Sequence, residues 1–398
     1  MPNRWLPEGE ENLFQRIKAQ REAAAAKGIK IIDLSIGQPQ GPALLSARKE
    51  ASRAVLSSKE AMHSYQDNGC LPLPDFASQF IQSHMHRGLD GFDIAFLPIP
   101  GIKPVLSMIP LACGAEKNSA LIVETMTNPG YPTPLDVCKH LRLRGIHELP
   151  LTPENGFSFA LSDSWGTRGL MMLNYPHNPS GQIAIKNWWW ALCEYCVTHG
   201  IRLFNDAAYA ALWHTEECCT LTEVAVSFPD LSWVEAFSAS KLIGNGTGWR
   251  IGALVGSSDF VADIAAIKGK MDSGFAAPLA AGVLAATESD RDGINTYREM
   301  YRQRSEMLTR LLSNRNVRIA VPPKAGFFTL WKVPAQAFGE EVQDAPHFNS
   351  TMIERTGVVG VPFDSKQGAY IRYAVCGDIG AMERDLEAAF DQAAVSYN

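Results

Sequence analysis

Apolar positions recur with helical spacing near the start of the chain, where Leu13, Phe14, Ile17 and Ala24 mark one face over residues 10–27. The run Ile31-Ile32-Asp33-Leu34-Ser35-Ile36-Gly37 reads as a short strand closed by a glycine turn. From about residue 70 onward, helical stretches alternate with short apolar runs. The runs at 94–97, 120–124, 146–149, 169–173, 201–205, 233–237 and 252–256 are strand candidates. Such alternation predicts an α/β fold with a mostly parallel sheet covered by helices on both faces. In that architecture functional groups belong at the C-terminal ends of strands. Residues 275–313 read as helical and lead out of this large unit. Beyond them come strand candidates near 317–320, 327–332 and 369–375, with helices at 346–356 and 378–394. The expected division is an N-terminal arm and part of a small domain over 1–45, a large domain over 46–290, and a smaller α+β domain over 291–398.

Composition narrows the class. The chain has 398 residues, 46% hydrophobic and 20% charged, which is ordinary for a globular protein long enough for two domains. A formal net charge of −6 leaves no basic surplus for a polyanion, so nucleic acid is not an expected partner. Residues 1–30 carry scattered charges and no apolar signal core, and no run approaches a membrane span. Eight cysteines without a secretion signal read as reduced thiols, and the expected location is the cytoplasm. Cys193 and Cys196 are spaced C-x-x-C but fall within a helical apolar pattern, so no metal is expected there.

The most specific chemistry lies at Phe237-Ser238-Ala239-Ser240-Lys241, followed by Trp249-Arg250-Ile251-Gly252. A lysine at the end of a buried strand is desolvated, which favours the neutral amine. A neutral amine condenses with an aldehyde, and nearby hydroxyls and an arginine suit a phosphate. An aldehyde carrying a phosphate describes pyridoxal 5'-phosphate (PLP). Here the chain resembles the class I/II aminotransferases of the aspartate-aminotransferase superfamily, whose motif reads Ser-x-Ser-Lys and then Gly-Trp-Arg-x-Gly.

The resemblance extends over roughly residues 30–390 and implies the PLP-dependent transferase fold, a homodimer with shared active sites, and a role for each matching residue. Lys241 is the cofactor lysine and general base. Asp206, in Asn205-Asp206-Ala207-Ala208-Tyr209, keeps the pyridine nitrogen protonated, and Tyr209 bonds the ring O3'. Asn178, in Asn174-Tyr175-Pro176-His177-Asn178-Pro179-Ser180-Gly181, also donates to O3' and faces the substrate. The turn Gly101-Ile102-Lys103, opening an apolar helix, lies under the phosphate with Ser238, Ser240 and Arg250. Tyr131 stacks on the pyridine, and Tyr65 reaches the neighbouring subunit's phosphate. Arg372, in Tyr370-Ile371-Arg372-Tyr373-Ala374, clamps the substrate α-carboxylate, while Gly37 lets the backbone approach the substrate.

The implied activity is ping-pong transfer of an amino group between an amino acid and a 2-oxo acid. Within the superfamily the pattern is closest to the LL-diaminopimelate and N-succinyl-diaminopimelate aminotransferase branch, which points to lysine biosynthesis. The stretches that carry this are Leu97-Pro98, Tyr175, Gly248-Trp249-Arg250-Ile251-Gly252 and Lys268-x-Lys270-Met271-Asp272-Ser273-Gly274. Two alternatives remain open, a PLP-dependent C–S β-lyase and a non-catalytic or regulatory relative. The Gly244-Asn245-Gly246-Thr247-Gly248 run resembles a dinucleotide fingerprint but lacks the acidic residue about twenty positions on, so it reads as a turn.

Overall fold

A computed structural model describes residues 13–115 and 120–397. Of the helix expected over 10–27, positions 10–12 lie outside these residues, and the rest forms Leu13–Ala26. Each strand candidate of the large unit is present within a residue or two. They are β2 (Ala95–Ile99), β3 (Ile122–Thr125), β4 (Gly145–Glu148), β5 (Gly169–Leu173), β6 (Arg202–Asp206), β7 (Trp233–Ser238) and β8 (Gly252–Gly256), after the short β1 (Ile32–Asp33). The seven form one sheet in the order β2-β8-β7-β6-β5-β3-β4. All run parallel except β8, which is antiparallel to both neighbours.

Period-two alternation sends the strand side chains to two separate cores. Met171, Leu173, Leu203, Trp233 and Phe237 join one apolar cluster, and Leu170, Met172, Phe204, Val234 and Ala236 join the other. A sheet buried on both faces explains why these strands read as continuous apolar runs. It also leaves the strand ends as the places where polar side chains collect.

The second unit holds a four-stranded antiparallel sheet in the order β14-β15-β10-β9. Its strands are β9 (Ile319–Val321), β10 (Phe328–Lys332), β14 (Val361–Ser365) and β15 (Gly368–Ala374), and the hairpin β11 (Gln336–Ala337) and β12 (Glu340–Glu341) lies between them in the chain. The short β13 (Val358–Val359) pairs in parallel with β1, so the N-terminal segment is stitched to this unit. Helix Leu13–Ala26 packs on helix Ala345–Thr356 of the same unit.

Three sequence expectations need correction. The strand over 31–36 is only Ile32–Asp33, because the chain turns after Asp33 and its carboxylate accepts from the Ser35 N–H at 3.0 Å and hydroxyl at 2.6 Å. The apolar helix after Gly101 is two short ones, Ile102–Val105 and Met108–Ala112. Pro110 has no N–H to bond the carbonyl of Leu106, so one continuous ladder cannot form. The helical stretch 275–313 breaks at Asp290, whose carboxylate caps helix Arg291–Ser313 by accepting from the Gly293 N–H at 3.1 Å. Strand β14 went unpredicted because Pro362 weakens the pattern. It is an edge strand, where a missing N–H is tolerated.

Candidate active site

Strands β5, β6 and β7 end side by side, and each delivers one polar group. Asp206 is the last residue of β6 and is buried. Its Oδ1 accepts from the Ala208 N–H at 3.1 Å. Burial lifts its pKa to about 6, against the pull of that N–H and of Lys241. Lys241 follows the end of β7. Burial of its amine lowers the pKa, Asp206 opposes that shift and Arg250 adds to it. The Lys241 Nζ stands 5.3 Å from the centre of the Tyr209 ring. Burial raises the Tyr209 phenol, which therefore stays protonated and able to donate. Burial also raises Tyr131, and Asp206 and Arg250 both lie close enough to act on it.

Asn178 sits on the turn after β5. Its backbone N–H donates to Asn174 Oδ1 at 2.9 Å, which fixes the turn. Its side-chain Oδ1 accepts from Arg372 Nη1 at 2.8 Å. Arg372 comes from β15 in the other unit and is buried. Its Nη2 donates to the Ser35 carbonyl at 2.9 Å, and its guanidinium lies 4.1 Å from the centre of the Phe328 ring. Its buried Nε is without a hydrogen-bond partner. Burial brings its pKa down to about 10, so it remains a cation at neutral pH.

Two aromatic side chains missing from the sequence reading join these halves. Phe327 and Phe328 each meet the Tyr209 ring at 5.5 Å. Phe328 also packs so close to Gly37 that a Cβ at position 37 would stand 2.8 Å from its ring. The close approach shown at Gly37 is thus to the Phe328 ring. The position of Phe328 beside Tyr209 depends on how β10 pairs with β15, which no local motif encodes. Gly326-Phe327-Phe328 next to a strand was the available signal.

At the other end of Lys241, Ser238 Oγ donates to Ser240 Oγ at 2.8 Å, and both are buried. Arg250 adopts the left-handed conformation with φ of 57°, an uncommon backbone for an arginine. Its Nη1 donates to the Thr247 carbonyl at 2.8 Å and its Nη2 to the Pro100 carbonyl at 3.4 Å. Gly101, at φ 80°, faces that guanidinium, which any Cβ there would overlap. The Ile102 side chain is buried in an apolar cluster, so only its backbone is offered to the turn. Lys103 is exposed.

Tyr65 stands apart. It is 78% exposed, and no hydrogen bond or ring contact joins it to this cluster among the described residues. It lines a groove with His63, Ser64, Ser273, Gly274, Phe275 and Ala276. Fully buried Lys268 ties the two loops of that groove together, donating to the Asp67 carbonyl and the Asp272 carboxylate at 2.7 Å each. All eight cysteines are free thiols, and no helix among the described residues is long and apolar enough to cross a membrane.

The chain matches known proteins along most of its length. A family model described as aminotransferase class I and II matches residues 29–386. The LL-diaminopimelate aminotransferase of Nitratidesulfovibrio vulgaris is 27% identical over 384 residues, spanning 93% of this chain and 94% of the relative. That of Methanocaldococcus jannaschii is 28% identical over 376 residues, spanning 91% and 85%. Among solved structures, an aspartate aminotransferase from Rhizobium meliloti superposes with a TM-score of 0.83 at 19% identity, covering 99% of each chain. A probable N-succinyldiaminopimelate aminotransferase from Thermus thermophilus gives 0.82 at 21% identity, covering 96% of this chain and 100% of the other.

Proposed function

Because this chain belongs to the class I and II aminotransferases, we propose that it moves the amino group of diaminopimelate, or of a closely related amino acid, to a 2-oxo acid. It is a PLP-dependent aminotransferase. The substrate reading is supported by curated relatives named for LL-diaminopimelate, which align along nearly the whole chain. The site reading rests on one continuous set of contacts. Lys241 lies over Tyr209, Tyr209 meets Phe328, and Phe328 lies under Arg372, which bonds Asn178. The amine and the guanidinium are thus linked through one run of neighbouring side chains.

The residues fit the cofactor. Gly101, with no side chain, lets the Arg250 guanidinium lie directly against the turn, and the buried Asp206 carboxylate has acceptor capacity to spare for a ring N–H. When bound, PLP supplies an aldehyde that condenses with amines and a protonated ring that draws electrons from the substrate Cα. Arg250, Ser238, Ser240, Lys103 and the backbone of Gly101 and Ile102 hold the phosphate. Asp206 would keep a proton on the pyridine nitrogen, Tyr131 would lie against the ring, and Tyr209 and the Asn178 amide would donate to O3'. Arg372 grips the α-carboxylate with parallel N–H donors, with Gly37 keeping the backbone close and small beside it. Lys241 would tether the cofactor through its amine, and the same amine would act as the base that takes the proton from the substrate Cα. An arginine fixed on the α-carboxylate disfavours loss of that group as carbon dioxide.

We further infer a homodimer, since Tyr65 is exposed on a groove built from two loops clasped by Lys268, a surface suited to a second copy's phosphate site. Eight free thiols support a reducing compartment such as the cytoplasm. The test of function is a panel of amino donors against the PLP-loaded protein with 2-oxoglutarate as acceptor. Diaminopimelate should convert the visible band to that of the amine form and yield glutamate. Release of ammonia without an acceptor would favour the lyase alternative.

A further inference from the structure

Two buried polar side chains on the large sheet make no cofactor or substrate contact in this reading. Asn205 and Glu235 lie opposite each other in the β6–β7 register, and both have 0% exposure. They occupy the face that Leu203, Trp233 and Phe237 otherwise fill with hydrocarbon. A buried polar group there is costly unless its bonds are satisfied, so their partners reveal what they do.

Glu235 accepts four hydrogen bonds. Oε1 takes the Asn205 Nδ2 at 2.7 Å and the Leu221 N–H at 3.1 Å, and Oε2 takes the Thr222 N–H at 2.7 Å and hydroxyl at 2.6 Å. These bonds decide which way the Asn205 amide points. Its Nδ2 also donates to the Tyr175 carbonyl at 3.0 Å, while its Oδ1 accepts from the Tyr175 N–H at 2.8 Å. One side chain thus holds both main-chain groups of the residue three before Asn178. Asn174 answers from the β5 side: its Nδ2 donates to the Asp206 carbonyl at 2.9 Å, and its Oδ1 accepts from the Asn178 N–H. The two asparagines cross-brace the ends of β5 and β6, each bonding the other strand's main chain.

We propose that Asn205, oriented by Glu235, is a positioning residue that sets the placement of Asn178 relative to Asp206, and so of the groups at O3' and at the pyridine nitrogen. This rests on the reading of Asn178 and Asp206 as ring contacts. An alanine at 205 releases the Tyr175 main chain and lets the Asn178 turn drift from O3'. Glutamine at 235 keeps the size but presents an amide donor to one of two donor pairs, Asn205 with Leu221 or the two of Thr222. Loss of a donor at O3' leaves the proton on the Lys241–cofactor linkage more tightly held, so the pH at which the visible band titrates rises.

The test measures that titration midpoint, the PLP dissociation constant of the apo-protein by tryptophan fluorescence, and the melting temperature. Asn178→Ala, Asn205→Ala and Glu235→Gln are compared with Ile264→Ala, a core change in helix Ser258–Met271 that lowers stability without touching the brace. Asn178→Ala and Asn205→Ala should both raise the midpoint by roughly 0.4–1 pH unit, the worth of one hydrogen bond. Glu235→Gln should shift it the same way by less, and Ile264→Ala should change only the melting temperature. If Asn178→Ala moves the midpoint and Asn205→Ala does not, the positioning role is overturned while the ring contact stands. If neither moves it, the ring-contact reading falls and the inference with it.

Discussion

Arg372 Nη1 donates to Asn178 Oδ1 at 2.8 Å, joining the small antiparallel sheet to the turn after β5 across 194 residues of sequence. The bond has a chemical consequence. With Oδ1 committed to the guanidinium, the Asn178 Nδ2 is left as the side chain's donor. Arg372 is in turn anchored by the Ser35 carbonyl, and Ser35 is held by Asp33, which pairs with Arg21 at 2.6 Å. The Arg372 guanidinium is therefore held by the N-terminal segment as well as by its own strand.

Arg372→Lys should raise the Michaelis constant for donor and acceptor alike. Lysine has no planar fork to match a carboxylate and cannot bond Asn178 and Ser35 together. Charge-assisted hydrogen bonds are worth ~1.5–3 kcal/mol each, so at least about tenfold is expected in each half-reaction. Steady-state kinetics with both substrates varied would check it. Loss confined to one half-reaction would assign Arg372 to a side-chain carboxylate instead.

Asp206 gives a pH dependence with a defined sign. Its folded pKa, about 6, lies above the ordinary 3.8. A raised acid contributes apo-protein stability that is present below 3.8 and is lost as pH rises through 6. Asp206→Asn should therefore flatten apo-protein stability between those limits, as read by urea unfolding at several pH values. The ionised form is the one that holds a pyridinium, so PLP affinity of the native protein should rise through about pH 6 and that of Asp206→Asn should not. Asp206→Ala should lose ~10²-fold or more in turnover while still binding PLP.

The shared-site reading predicts complementation. Tyr65→Ala and Lys241→Ala homodimers should each be poorly active. Mixed and allowed to exchange subunits, they should regain activity, since one site of each hybrid pairs a native Lys241 with a native Tyr65. An active monomer by sedimentation at dilute concentration, or no regain on mixing, would count against it.

Much of this arrangement could be read along the chain. The positions of Asp206 and Lys241 follow from apolar runs that end in a polar residue, and that of Arg372 from the strand read over 369–375, which is β15 and is buried along its last five residues. What could not be read depends on pairings between distant segments. Phe328 reaches Tyr209, Gly37 and Arg372 only because β10 lies beside β15 and the N-terminal segment joins the same unit through β1 and β13. No local pattern tells what Asn205 and Glu235 do, and their partnership appears only when β6 and β7 are set side by side. Ile102 can offer the turn only its backbone, since its side chain lies in the core.

The most direct test of the account is borohydride reduction of the PLP-loaded protein, followed by peptide mapping. Lys241 should carry the whole of the reduced pyridoxyl label, and Lys241→Ala should carry none while still binding PLP without a covalent link. A label on another lysine in the native protein, or a reducible cofactor linkage surviving in Lys241→Ala, would contradict the assignment on which the rest of the site is built.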